Sequence, residues 1–339
     1  MRPAHATLEK IAEISGLSRS TVSRALARHP DVSEETREII KEVAKSIGYQ
    51  PDWAAQSLAR GRSNLVAMVL PGTGEMWTSE LAVTAAKVIY ADHYLPVSFP
   101  TNGHVEWETS LLEVVKSQRP AGVLWLPCLQ SQVPETVNAF ASRKIPLIVV
   151  DRHDAGCPAT FVYTDDRNGI GSAVRHVVEQ GHRRIALIVG PMSGTMRLRK
   201  ESFLEAIANA HIAPQDTTIV EAPLKSSEPC YQRCYDVARE MLGRKDRPTA
   251  ILTCMDEQAW GCLEAARDMG IAVPQELRII GYGNYIPAHF TRCRLSTVVQ
   301  DREKIVVEAI NALLGYMRDD YEPKYRSIIV PTSLLIRDT

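Results

Sequence analysis

Along the first fifty positions, apolar residues recur at helical spacing in three short blocks, each opened by a hydroxyl side chain. Thr7 is a suitable N-cap, and behind it Leu8, Ile11, Ala12 and Ile14 keep near-helical spacing. Gly16 can take the left-handed conformation that ends such a helix. Leu17 follows as an apolar plug, and Ser18 caps a second predicted helix from Arg19 to Leu26. Its inward face would be Val22, Ala25 and Leu26; its outward face would be Arg19, Ser20, Ser23 and Arg24. After a loop with Pro30, Ser33 caps a third helix, with Glu34 and Glu35 favoured in its first turn by the helix dipole. That helix is expected to bury Ile39, Ile40, Val43 and Ile47 and to stop at Gly48. Two short helices joined by a Gly-containing turn and braced by a third predict a helix-turn-helix. In such a unit the second helix enters the major groove of DNA. A small three-helix bundle with a polar face would show the same pattern.

The next segment narrows that choice. Tyr49 to Gly61 reads as a helix of roughly eight residues started by Pro51, too short to hold in water alone. It would form against a partner copy and DNA, with Leu58 placed to wedge between base steps in the minor groove. Arg60 and Arg62 would sit near phosphates.

From Asn64 onward the period changes. Strand-like apolar runs fall at Leu65–Leu70, Leu95–Phe99, Gly122–Leu126, Leu147–Val150, Arg184–Val189, 217–221, Ala250–Leu252, Leu277–Gly281 and Ile328–Ile336. Helical stretches separate them, among them Leu81–Asp92, Trp107–Ser117, Arg167–Gln180, Leu198–Ala210, Cys230–Leu242 and Glu257–Met269. This alternation predicts parallel sheets wound by crossovers, with ligands beyond the carboxyl ends of the strands. The fold class is therefore α/β with an all-α N-terminal domain.

The chain has 339 residues, enough for two or three domains. Its 45% apolar and 23% charged residues are ordinary for a globular core, so disorder is not expected. There is no run of 18 apolar residues and no apolar signal core near the N-terminus, so neither membrane insertion nor export is expected. A cytoplasmic, nucleoid-associated protein is the expectation. Net charge is −1 and does not by itself point to nucleic acid. Residues 1–62 hold ten basic and eight acidic side chains, the remainder 29 and 32, an asymmetry too weak to decide anything. Seven scattered cysteines, none spaced CxxC, suit reduced buried thiols rather than disulfides or a metal site. There is no Walker loop, GxGxxG after a strand or GxSxG elbow, and Gly72-Thr-Gly74 reads as an ordinary turn. Asp165-Asp166 suits the start of a helix better than catalysis, and His182 suits a structural role. An enzyme is not expected, and no cofactor is implied.

The run from Thr7 to Ser63, with S-x-x-TVSR-x-L, VS-x-x-TR and GY-x-P…A-x-x-L in register, resembles the DNA headpiece and hinge of the LacI/GalR family of bacterial transcription regulators. The resemblance implies that Arg19 and Ser20 are the main specificity positions, with Arg24 a further groove contact. It places Thr7, Ser18, Thr21, Ser23 and Ser33 on the phosphate side, counts Leu8 among the DNA-binding positions, and makes Leu58 the hinge wedge. Asp52 and Trp53 depart from the family's Asn and basic or small residue, and an acid there is expected to weaken phosphate contacts.

The body resembles the same family's core, itself similar to periplasmic sugar-binding proteins. The clearest pieces are AVRHVVEQGHRRIALIVGP, GIAVPQELRIIGYGN and LSTVVQDREKIVVEAINALL. This implies a headpiece at 1–50, a hinge at 51–62 and a core at 63–339 made of two Rossmann-like subdomains. The first would hold about 63–162 and 293–322, the second about 163–292 and 323–339. Three linkers, near Tyr163, Arg292 and Glu322, would cross between them, with an effector in the cleft. The effector positions implied are Thr73, Met76, Trp77, Asp151, Arg199, Lys225, Asp256 and Asn284.

These positions also carry the departures. Met255-Asp256 replaces an Asn-Asp pair, and Gly283 replaces the acid of a GYD motif that accepts sugar hydroxyls. Lys225 stands for a common aromatic, and Thr73, Met76 and Trp77 for an Asn-Pro-aromatic loop. Losing an acid and gaining Lys225 beside Arg199 points to an anionic effector such as a sugar acid or sugar phosphate. The expected protein is a repressor that binds double-stranded operator DNA as a homodimer under control of that effector. A core answering to a partner protein instead of a metabolite is the alternative.

Overall fold

In a computed structural model of the chain, the described residues are 6–26, 31–49, 63–72, 76–128, 131–152, 156–190, 194–222, 230–284, 294–318 and 325–339; the side chains of Met76 and Trp77 are not among what is described. The chain divides into two compact units, Met1–Ser63 and Asn64–Thr339. The hinge expected at 51–62, including Leu58, lies outside the described residues.

The first unit holds α1 (Leu8–Ser15), α2 (Arg19–Leu26) and α3 (Glu34–Ser46). Each begins where a hydroxyl satisfies an orphan backbone donor. Thr7 Oγ1 accepts from Lys10 N at 3.3 Å, Ser18 Oγ from Thr21 N at 3.1 Å and Ser33 Oγ from Thr36 N at 3.3 Å. Gly16 closes α1 at φ 69°. Ile11, Val22, Ala25, Val32, Ile40 and Ala44 make the core, flanked by Leu8, Leu17, Val43 and Ile47. Ile39, expected inside, is 47% exposed. It stands one residue, about 100°, round the helix from Ile40, and the inward stripe runs through Ile40, Val43, Ala44 and Ile47.

The second unit is built on two six-stranded sheets. The first contains β1 (Leu65–Leu70), β2 (Leu95–Pro100), β3 (Gly122–Trp125), β4 (Leu147–Val150), β5 (Thr160–Thr164) and β11 (Ser327–Val330), ordered β2-β1-β3-β4-β5-β11 and parallel throughout. The second contains β6 (Ile185–Val189), β7 (Thr217–Glu221), β8 (Ala250–Thr253), β9 (Arg278–Gly283), β10 (Ser296–Gln300) and β12 (Thr332–Leu335), ordered β7-β6-β8-β9-β10-β12. Among the described strands of this sheet, β12 alone runs antiparallel to its neighbour, β10. The connecting helices are α4 (Met76–Ala91), α5 (Val105–Ser117), α6 (Val133–Ala141), α7 (Asp166–Glu179), α8 (Gly194–Asn209), α9 (Cys230–Leu242), α10 (Asp256–Asp268) and α11 (Arg302–Arg318).

Strand alternation feeds both faces of each sheet. Val66, Met68 and Leu70 pack on Leu81, Ala85 and Ile89 of α4 and on Leu313 and Met317 of α11. Ala67 and Val69 pack oppositely, on Leu112, Val115, Trp125 and Phe140. In the second sheet Leu187 and Val189 meet Val174 and Phe203, while Ala186 and Ile188 meet Cys234, Ala238 and Cys262. The six described cysteines form no disulfide.

The crossings between sheets fall at Asp165, Asp301 and Pro331. The second and third therefore come later than Arg292 and Glu322, the positions expected from resemblance. Residues 296–300 pair within the second sheet, and 327–330 within the first. The run Ile328–Ile336, expected as one strand, is two. Pro331 has no N–H for a ladder, so pairing stops there and resumes in the other sheet.

Candidate functional site

Two surfaces carry the chemistry, one on each unit. On the first, Arg19 and Ser20 are the opening residues of α2 and both are exposed. Ser18 Oγ lies 2.8 Å from Ser20 Oγ and 2.8 Å from Thr21 Oγ1, so one cap hydroxyl orders its two neighbours. Thr7, Ser23, Arg24 and Ser33 are exposed, Thr21 is half-buried, and Leu8 is half-buried against the core. One contact was not foreseen: Arg19 Nε lies 2.8 Å from Glu9 Oε1. Backbone and Thr7 hydrogen bonds, with Arg19 adding to them, hold the Glu9 carboxyl below the usual carboxylate range. Glu9 thus holds the Arg19 guanidinium.

On the second unit, Gly190, Cys254, Met255 and Asn284 follow the carboxyl ends of β6, β8 and β9, and Gly283 closes β9. This is where an open α/β sheet takes its ligand. Arg199 of α8 lies beneath, 3% exposed. Its Nε donates to Asp166 Oδ1 at 3.1 Å, its Nη1 donates to the Cys254 carbonyl at 2.7 Å, and its Cζ stands 3.8 Å from the centre of the Tyr282 ring. Asp166 Oδ1 also accepts from Thr164 Oγ1 at 3.0 Å and from the Tyr282 hydroxyl. Gln300 Nε2 donates to Thr164 Oγ1 at 3.1 Å, so the network reaches the strands entering two of the crossings. Burial acts to lower the Arg199 pKa, but Asp166 and the other anionic neighbours outweigh it, and the guanidinium stays charged. Burial, then Asp166, pushes the Tyr282 hydroxyl well above its ordinary value.

These contacts revise the sequence expectations. Arg199 already has its counter-charge in Asp166, so it does not make the cleft cationic. Asp256 is 1% exposed and accepts from Thr297 Oγ1 at 2.6 Å. Its Oδ1 lies 2.2 Å from where a Cβ on Gly281 would stand, so the carboxylate is set into the protein over a position only glycine fits. Asn284 sits at φ 54°, with Oδ1 accepting from Arg337 Nη2 at 2.8 Å. Asp151 sits at φ 54°, and its carbonyl accepts from Thr195 Oγ1 at 2.6 Å, tying the end of β4 to the start of α8. Met76 and Trp77 open α4, while Thr73 and Lys225 lie outside the described residues. Asp165 caps α7 by accepting from Asn168 N at 3.0 Å, as its position before a helix suggested. His182 Nδ1 lies 3.1 Å from Thr249 Oγ1.

Sequence reasoning missed Asp166, Tyr282 and Arg302 as parts of this region. Arg302 Nη2 lies 2.7 Å from Glu80 of α4, and its Nη1 donates to the Gly283 carbonyl at 3.1 Å. It borders a polar groove of about 510 Å³ along the crossings, lined also by Thr84, Gln300, Asp301 and Thr332. Asp166 meets Arg199 and Tyr282, and Arg302 meets Glu80, across long stretches of chain that nothing local in the sequence marks.

A helix-turn-helix unit and a body of two doubly wound sheets with three crossings define a DNA-binding regulator on a periplasmic-binding-protein-like scaffold. Residues 7–52 match the bacterial regulatory proteins of the lacI family, and residues 174–339 match the periplasmic binding protein-like domain. The chain thus joins a lacI-family DNA-binding domain to a periplasmic binding protein-like domain. It is a transcription regulator with a DNA-binding helix-turn-helix, and not an enzyme. The HTH-type transcriptional repressor PurR of Edwardsiella ictaluri is 29% identical over 315 residues, 91% of this chain and 89% of the relative. That of Haemophilus influenzae (strain PittEE) is 25% identical over 338 residues, 98% of each. Among solved structures, the Lac repressor dimer bound to operator and the anti-inducer ONPF superposes with a TM-score of 0.83 at 24% identity, covering 99% of both chains. The regulator CelR in complex with cellobiose gives 0.72 at 23% identity, covering 98% of this chain and 99% of that one.

Proposed function

We propose that the protein is a homodimeric repressor that binds double-stranded operator DNA and is controlled by a small polar effector held beyond the strand ends of its second unit. The observation that carries the DNA-binding half is the exposed pair Arg19 and Ser20 at the start of α2, set by the Ser18 hydroxyl. Arg19 donates a fork to guanine, and Ser20 reads the neighbouring base edge. Thr7, Leu8, Ser18, Thr21, Ser23, Arg24 and Ser33 set the register on the backbone, and Leu58 of the 51–62 hinge wedges the minor groove. One headpiece, residues 1–50, reads only a half-site, which is why two copies are needed. The protein acts in the cytoplasm, on DNA; no helix among the described residues is long and apolar enough to cross a membrane.

The effector half rests on the fold and on the relatives' ligands. The Lac repressor structure holds ONPF, and CelR holds cellobiose. In this chain the matched charges of Arg199 and Asp166 favour a neutral sugar-like compound. A sugar acid or sugar phosphate then depends on Lys225 alone. The effector favours one arrangement of the two sheet-bearing halves of the core, 63–339, and that arrangement favours or forbids hinge pairing. DNA must shift effector affinity by the same factor. Footprinting the upstream region of the protein's own gene, with and without a metabolite panel, tests this. Protection of an inverted repeat that one metabolite strengthens or abolishes is the expected result. Absence of sequence-specific protection would sink the reading.

A further inference from the structure

At the strand ends of the second sheet, one buried polar atom lacks a partner. Gln258, in the first turn of α10, is fully buried. Its Oε1 accepts from Cys254 N at 2.9 Å and from Met255 N at 3.1 Å, which caps the helix. Its Nε2 makes no hydrogen bond. A buried amide donor left unmatched is disfavoured, and native proteins rarely keep one without a reason.

The direction of that donor supplies the reason. Gln258 Nε2, Met255 Cε and Met196 Sδ converge on Gly190, at 3.5, 3.5 and 3.6 Å from where a Cβ would stand. Gly190 follows β6, Met255 follows β8, and Met196 lies in the first turn of α8, so the point of convergence is the floor of the ligand-binding edge. Met255 and Met196 are half-buried and unbranched, so they can cover the amide and also move off it. Among the described residues Arg199 is matched by Asp166, Arg302 by Glu80, and Arg337 is engaged by Asn284, with the Asp151 carboxylate acting on Arg199 and Arg197 exposed beside Met196.

We propose that Gln258 is a specificity-determining residue of the effector site. Its Nε2 donates to a carbonyl, ether or hydroxyl oxygen of a neutral effector whose apolar face packs on the Met196 and Met255 thioethers. The proposal rests on the effector reading given above and goes beyond it in naming the donor and the class of ligand.

Gln258→Glu separates the two jobs of the side chain. The carboxylate keeps an acceptor for both backbone N–H groups at a helix N-terminus, where negative charge is favoured, and it removes the donor. Full-length wild type and Q258E are titrated by calorimetry with D-ribose, cellobiose and adenosine as neutral probes, and with D-ribose 5-phosphate and D-gluconate as anions. A neutral probe should bind the wild type, and bind Q258E about tenfold or more weakly, the loss of one buried hydrogen bond. The ligand-free melting temperature of Q258E should fall below that of the wild type, because a carboxylate is buried there without a counter-charge, and it is read separately from binding. Equal affinity of both proteins for a neutral probe, or binding of anions alone, overturns the assignment and leaves the effector site standing. Binding of no probe overturns the effector reading itself. A crystal structure of the wild type with the bound probe decides the matter even if the variant misfolds. An oxygen of the probe should lie within hydrogen-bond distance of Gln258 Nε2, and a Gln258 amide bonded only to protein or water refutes the role.

Discussion

Replacing Asp166 by asparagine removes a charge from the buried network while keeping its shape. In the native protein the Arg199 and Asp166 side chains are 4% and 3% exposed and 3.1 Å apart. Asparagine can still accept from Thr164, Tyr282 and Arg199 through its carbonyl oxygen, but the guanidinium then sits among the Tyr282 ring and the Cys254 carbonyl without its nearest counter-charge. Removing one member of a buried ion pair costs about 3–5 kcal/mol, and the retained hydrogen bonds put D166N near 3. For a unit spanning Asn64–Thr339 that corresponds to a fall in melting temperature of about 5 °C. Urea denaturation of the full chain, followed by far-ultraviolet dichroism, reads the change in the transition of the second unit. Replacing both partners together, as Asp166→Leu with Arg199→Met, should cost less than D166N alone, because no unmatched charge remains. A loss under about 1 kcal/mol in D166N would show that solvent reaches the pair. The view that Arg199 is internally satisfied would then fail.

Other perturbations probe the remaining parts. Arg19→Ala should weaken binding to a selected duplex by about 1–3 kcal/mol and relax preference at one base pair per half-site, read by fluorescence anisotropy on single-base variants. Gly261→Ala would put a Cβ 2.2 Å from the Tyr231 carbonyl and 2.6 Å from Tyr235 N, both backbone atoms of α9. A loss of about 3 kcal/mol or more in thermal unfolding is expected. His176 and His182 have pKa values lowered by burial first and by Arg278 next. Their neutral forms are favoured in the fold, so the unfolded chain takes up more protons once pH drops below about 6.5. Stability should be full above that pH and fall between about pH 6.5 and 5, with a shallower slope in the His176→Gln, His182→Gln double variant.

What could be read in advance was local. Thr7, Ser18 and Ser33 cap their helices because a hydroxyl before an amphipathic run has its partner three residues on. The alternation of strands and helices follows from apolar period in the same way. What could not be read depends on distance along the chain. Asp166 meets Arg199 33 positions later and Tyr282 116 positions later, and nothing beside any of the three announces the others. Ile39 and Ile40 look equivalent until the facing helices choose one. The crossings at Asp301 and Pro331 depend on which sheet has an open edge, although Pro331 itself was a legible signal for a break in pairing.

The central claim is that α2 reads DNA sequence. Its most direct test is a competition between a duplex selected by the full-length protein from a random library and a scrambled duplex of equal length, at physiological salt. Preference for the selected duplex of about 10³-fold or more, with an inverted repeat whose half-sites sit about one helical turn apart, is the expected result. Equal affinity for both duplexes would reduce the binding to phosphate attraction alone and contradict the assignment of Arg19 and Ser20.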